Sequence, residues 1–233
     1  MVAASDWKTF WDSDHSIYVN ALHKDVHYRT VAEQIAEFVP GPKARVLDYG
    51  CGEALHADIV AAVAGEVLLS DSADTVRAVM AQRFASNPRI KVLSPDDVAA
   101  LPDGRLDLIV SNSVVQYLSV PELERLLALW RRLLAPGGSL IVADVIPPDV
   151  GKLSDVAALL RFAWEYNFLL AAFAGLARTA VSPYRKLRST LGIAQYTQAE
   201  FMQRLSAAGY VAERLPRNLE HNPARMTFRA RKA

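Results

Sequence analysis

Asp48, Gly50 and Gly52 are the residues whose types and spacing first suggest chemistry. Val46 and Leu47 form a short apolar run that ends in the Asp48 carboxylate. The two glycines follow, and residues 54–64 read as a helix. Strand, tight turn and helix in that order open an α/β sheet. Without Cβ atoms, the glycines let the backbone turn sharply and approach a ligand. A loop that holds a pyrophosphate presents N–H groups with no negative charge beside them. Asp48 would repel a phosphate and suits a cation such as an ammonium or a sulfonium. A second acid, Asp71, ends the apolar run 66–70. It stands roughly 20 residues after the turn, where a doubly wound nucleotide-binding fold places a carboxylate on ribose hydroxyls. Asp71 would equally serve as a cap on the following helix, and Asp74 is near enough to share the two tasks.

Other reactive types are scattered. The histidines stand at 15, 23, 27, 56 and 221, with no metal-ligand spacing. His23 and His27 are four apart on a helix but lack an H-E-x-x-H pattern, so no metal site is expected. Cys51 is the single cysteine, which excludes an internal disulfide and suits a reducing cytoplasm. Inside the glycine turn it reads as a small residue rather than a nucleophile.

The elements that position these residues follow an α/β pattern. The chain has 233 residues, 52% of them apolar, and a formal net charge of +1. That length supports a sizeable core, and the balanced charge gives no field to gather nucleic acid. No signal-peptide pattern opens the chain. Residues 17–39 have helical spacing, with Val31, Ile35, Phe38 and Val39 as an apolar stripe ended by Pro40, Gly41 and Pro42. Strands are expected at 66–71, 89–93, 106–112, 210–215 and 226–231, and amphipathic helices at 121–134 and 197–209. Thr197 and Glu200 form a capping box. Residues 168–177 are an uncharged apolar run, too short to span a bilayer, which takes about 20 residues. The basic run 184–188 is a solvated face, or a seat for an anionic group.

Asp48-Tyr49-Gly50-Cys51-Gly52 resembles the D-x-G-x-G motif of class I S-adenosylmethionine-dependent methyltransferases. Asp97 to Pro102 is similar to that family's D-x-x-x-L-P stretch. Asp107 to Val110 is similar to its F-D-x-V strand, with Leu106 in place of phenylalanine, and Leu134 to Gly138 to its L-x-P-G-G turn. The resemblance covers residues 43–145 by motif and 197–232 by pattern. It implies a three-layer Rossmann-like sandwich with a seven-stranded, mostly parallel sheet and an antiparallel last strand. It also implies an N-terminal helical cap (1–40), a cofactor-binding core (43–145), a helical lid insert (150–195) and a C-terminal helix and hairpin (197–233), all in one domain.

The cofactor implied is S-adenosylmethionine, with S-adenosylhomocysteine as product. By resemblance Asp48, Gly50, Cys51 and Gly52 form its loop, and Asp71 with Ser72 meets the ribose. Asp97 and Val98 meet the adenine edge, with Asp96 a rival register. Ser111 and Asn112 face the methionine part. Gln116 and Tyr117 replace a common histidine pair near the methyl group. Trp7, Trp11 and Tyr18 line the acceptor pocket, and His15, His27, Tyr117, Asp144 and His221 are candidates for a base. The acceptor expected is a small, fairly apolar molecule. Neither nucleic acid nor stable membrane insertion is expected, and the insert is either a lid or a homodimer contact. A nicotinamide-dependent oxidoreductase would want G-x-G-x-x-G, whereas Glu53, Ala54 and Leu55 follow Gly52 here. A non-catalytic S-adenosylmethionine-binding protein is the other alternative.

Overall fold

The computed structural model describes residues 18–179 and 192–233. Trp7, Trp11, His15 and the basic run 184–188 lie outside the described residues.

Helix α1 (Ala21–Phe38) comes first. The Asn20 side chain caps it by accepting the His23 N–H at 2.8 Å. The helix stops at Phe38, just before the Pro-Gly-Pro stretch. Strand β1 (Arg45–Tyr49), helix α2 (Ala57–Val63), β2 (Glu66–Ser70), α3 (Asp74–Arg83) and β3 (Ile90–Leu93) follow. Next come a short helix α4 (Pro95–Ala99), β4 (Leu106–Asn112), a 3₁₀ turn over Val115–Tyr117, α5 (Val120–Leu133) and β5 (Leu134–Val145). The remaining described elements are α6 (Lys152–Glu165), α7 (Leu169–Thr179), α8 (Gln198–Ala207), β6 (Tyr210–Arg214) and β7 (Met226–Lys232).

The seven strands form one sheet in the order β3-β2-β1-β4-β5-β7-β6. Only β7 runs antiparallel to its neighbours. Successive residues of a strand point to opposite faces, and the core divides accordingly. Leu47, Leu68 and Ile109 pack on Trp130 and Leu127 of α5 and on Phe201 and Leu205 of α8. Val46, Val67 and Leu108 pack on Ile35 of α1, Val60 of α2 and Met80 of α3. A third apolar cluster joins Val19 and Val26 to Phe162, Ala163, Phe168 and Ala172. Helices α6 and α7 thereby dock beside α1.

Strand β1 pairs with β2 on one side and β4 on the other. The order of connection reverses there, so the ends of β1 and β4 diverge and open a crevice at the carboxyl edge of the sheet.

Candidate functional site

The turn after β1 is fixed by its backbone. The N–H groups of Gly50 and Cys51 both donate to the Ser70 carbonyl, at 2.7 and 3.2 Å. Gly50 and Gly52 have φ of +76° and +56°, a region that L side chains rarely enter. A Cβ on Gly50 would collide with Val114, and one on Gly52 would lie 2.5 Å from the Tyr28 hydroxyl. That hydroxyl accepts the Glu53 N–H at 3.0 Å, so α1 is stitched to the loop.

Asp71 spans the turn and the next helix. Its carboxylate accepts the Gly52 N–H at 3.0 Å and the Ala73 N–H at 2.9 Å. Burial raises the Asp71 carboxyl, and those two N–H groups partly offset the shift. Asp74 pairs instead with Arg77 on the surface of α3. The Asp48 carboxylate accepts no hydrogen bond among the described residues. Burial, then the neighbouring Asp71 charge, pushes its carboxyl up to about 7. Burial also holds the Cys51 thiol well above its ordinary range. Protonated, it is no nucleophile.

These groups face a cavity of about 900 Å³. Its far end is polar and is assembled from distant parts of the chain. The Ser113 hydroxyl donates to Asp144 Oδ2 at 2.6 Å and lies 3.2 Å from Glu220 Oε1. Asn112 Nδ2 donates to the same Glu220 oxygen at 2.9 Å. The Arg225 guanidinium pairs with Asp144 and, at 2.9 Å, with Asp155. Asn222 also donates to Asp155, at 2.9 Å. Ser113 and Asp144 both have positive φ, +56° and +62°.

Burial, then Glu220, raises the Asp144 carboxyl to about 7 against the pull of Arg225. Burial works against the Glu220 charge, but His27, His221 and Asn112 outweigh it and hold that carboxyl below its ordinary range. Burial lowers His221. Glu220 Oε2 lies 3.7 Å from His27 Nδ1 and 3.6 Å from His221 Nδ1. These three residues are the group of potential metal ligands found among the described residues. The sequence reading expects no metal because Glu220 and His221 are neighbours in the chain but His27 meets them only through the fold.

The cavity wall includes Asp48, Gly50, Cys51, Gly52, Asp71, Ser72 and Asn112, and also Tyr18, His27, Gln116, Tyr117, Asp144 and His221. The buried Gln116 Oε1 has no hydrogen-bond partner. Asp97, Val98 and Ser111 are not on that wall. The Asp97 carboxylate accepts the Ser94 N–H and hydroxyl at 2.9 and 2.7 Å, closing the capping box of α4. Val98 is buried in the core, and so is Ser111, whose alternation on β4 turns it away from Asn112.

Sequence reasoning missed Glu220, Arg225, Asp155, Ser113 and Tyr28. Glu220 and Arg225 lie in a polar stretch between two strands, which reads as an ordinary hairpin loop. Beyond the walls, no helix of the described residues is long and apolar enough to cross a membrane.

Known proteins resemble this chain in sequence and fold. A family profile described as a methyltransferase domain matches residues 46–138. The probable S-adenosylmethionine-dependent methyltransferase Rv3030 of Mycobacterium tuberculosis H37Rv is 32% identical over 48% of this chain and 37% of its own. The ubiquinone biosynthesis O-methyltransferase of Xanthomonas campestris pv. campestris B100 is 29% identical over 58% of this chain and 56% of its own. The chain spans 2% to 65% of the length of the curated relatives it matches. Among solved structures, magnesium protoporphyrin IX methyltransferase from Synechocystis PCC 6803 with bound S-adenosylmethionine superposes with a TM-score of 0.63. The match covers 100% of this chain and 98% of that one at 15% identity. At that identity the likeness shows the fold.

Proposed function

We propose that the chain is a class I S-adenosylmethionine-dependent methyltransferase that methylates a small molecule with a fairly apolar body. The observation that carries this reading is the continuity of the cavity. It runs from the Asp48–Gly52 turn and Asp71 to a polar cluster around Asp144.

The residues at the turn fit the cofactor. Asp48 is a half-buried carboxylate with no side-chain hydrogen bond among the described residues, and a cationic ligand would satisfy it. Asp71 fixes the turn and presents its edge to a ribose, with Ser72 beside it. Gln116 and Asn112 offer polar atoms near the acceptor, and Asn112 Oδ1 and Gln116 Oε1 are both buried without partners. When bound, S-adenosylmethionine supplies an electrophilic methyl on a positively charged sulfur, which departs as the neutral thioether of S-adenosylhomocysteine. The protein's task is to hold an acceptor in line with it. Such positioning can be worth about 7–11 kcal/mol.

An O–H acceptor must also lose a proton to a base within hydrogen-bond reach. Asp144, whose carboxyl burial and Glu220 raise, lies on the cavity wall and is the candidate to take it. His27 and Tyr117 share the same wall. Val156 and Leu159 of α6 and Leu176 of α7 supply the opposite wall, so the two helices act as a lid over an apolar body. The proposal includes no nucleic-acid partner. A homodimer through α6 and α7 is part of it, since both helices keep apolar side chains exposed.

The test is an acceptor screen with methyl-labelled S-adenosylmethionine. Label is expected on compounds that join an apolar body to one hydroxyl or amine. Labelling confined to highly charged polar molecules would refute the acceptor class.

A further inference from the structure

We propose that His27 Nδ1, Glu220 Oε2 and His221 Nδ1 bind a divalent transition-metal ion, zinc foremost, in the wall of the acceptor chamber. The three ligand atoms all lie within 4.8 Å of one another. The two measured edges, 3.7 and 3.6 Å, are too long for hydrogen bonds. They are also too short for a bridging water, since two hydrogen bonds of about 2.8 Å at a tetrahedral angle span roughly 4.6 Å. Two ligands of a tetrahedral zinc, each about 2.1 Å from it, stand roughly 3.4 Å apart. Small side-chain adjustments bring these edges to that spacing.

The surroundings orient the ligands as an outer shell does. Glu220 Oε1 is taken by Asn112 at 2.9 Å and by Ser113 at 3.2 Å, which leaves Oε2 toward the histidines. His221 Nδ1 is buried with no hydrogen-bond partner. Its ring stacks on Phe162, with centroids 4.9 Å apart at 24°. The His27 ring is held against Tyr18 and Tyr28, each at 5.3 Å. With its proton on Nε2, each imidazole offers Nδ1 as a lone pair. Nearby groups also suit a dication: Asp155 and Glu220 stand with the Asp144 carboxyl around the Arg225 guanidinium.

Two imidazoles and one carboxylate favour zinc, iron, cobalt or nickel over magnesium or calcium. Three protein ligands leave a fourth position open to the cavity. An acceptor hydroxyl bound there would lose its proton more readily. That role rests on the methyltransferase reading, whereas the binding of the metal does not. His27 is then a ligand and not a base, and Asp144 remains to receive the proton.

The test is a titration of the metal-free full chain with cobalt(II) and zinc. One equivalent of cobalt should give the visible bands of a four-coordinate site, and zinc should displace it. Glu220→Gln and His221→Ala should each weaken zinc binding at least tenfold while S-adenosylmethionine still binds, which shows that the variants fold. X-ray absorption of the zinc-loaded wild type should show scattering from two imidazoles, a readout that needs no variant. A wild type that binds neither ion, a spectrum without imidazole scattering, or zinc binding unchanged in both folded variants would each overturn the site. Failure of S-adenosylmethionine to bind, with zinc still bound, would count against the methyltransferase reading and leave the metal site standing.

Discussion

Asp48 carries the most informative charge in the molecule. An ordinary aspartate titrates near 3.9, but burial and Asp71 push Asp48 up to about 7. A raised carboxyl favours the neutral form in the fold. Its contribution to stability is full below the ordinary carboxylate range and is lost as pH rises through about 7. Binding of a cation works in the opposite sense, because it needs the carboxylate. S-adenosylmethionine binding near pH 6.5 should therefore release a proton. Its heat should vary with the ionisation enthalpy of the buffer, and its affinity should fall by up to about tenfold per pH unit below 7. Asp48→Asn should abolish the release, and heats independent of buffer in the wild type would refute the assignment. Asp48 and Asp71 were legible in the sequence because each sits at a strand end beside a local motif. Glu220 and Arg225 were not. Their meaning depends on His27, Asn112 and Asp144, which lie far away in the chain, and no spacing rule joins them. Asp97 matches its motif, and in the structure its carboxylate accepts the Ser94 cap of its own helix.

The helices α6 and α7 have two apolar sides. Phe162, Ala163, Phe168 and Ala172 are buried against α1. On the outside Trp164, Leu170 and Phe173 are 75%, 87% and 55% exposed. Exposed apolar groups gathered on one face mark a contact surface. The outer face should pair with a second copy of the chain. Light scattering should show a mass that rises toward a dimer with concentration, and Trp164→Glu combined with Leu170→Glu should hold the protein monomeric. A monomeric wild type across the same concentrations would contradict this pairing. The apolar run 168–177 marked the region in the sequence. A run apolar on every side cannot say which face docks inward; the structure buries Phe168 and Ala172 and leaves Leu170 and Phe173 exposed.

At the scale of the whole molecule, the sheet order β3-β2-β1-β4-β5-β7-β6 places the ends of β1 and β4 at one crevice. Most of this was legible, because buried parallel strands read as apolar runs and the helices between them carry local caps. The acceptor chamber was less legible, since its wall combines α1, the ends of β4 and β5, α6 and the β6–β7 loop. The central claim is that the crevice binds S-adenosylmethionine. Calorimetric titration of S-adenosylmethionine and S-adenosylhomocysteine into wild type and Asp71→Ala tests it most directly. Charge-assisted hydrogen bonds are worth about 1.5–3 kcal/mol. Binding in the micromolar range is therefore expected for the wild type, weakened at least about tenfold when the Asp71 carboxylate is removed. A folded wild type that binds neither compound would contradict the account.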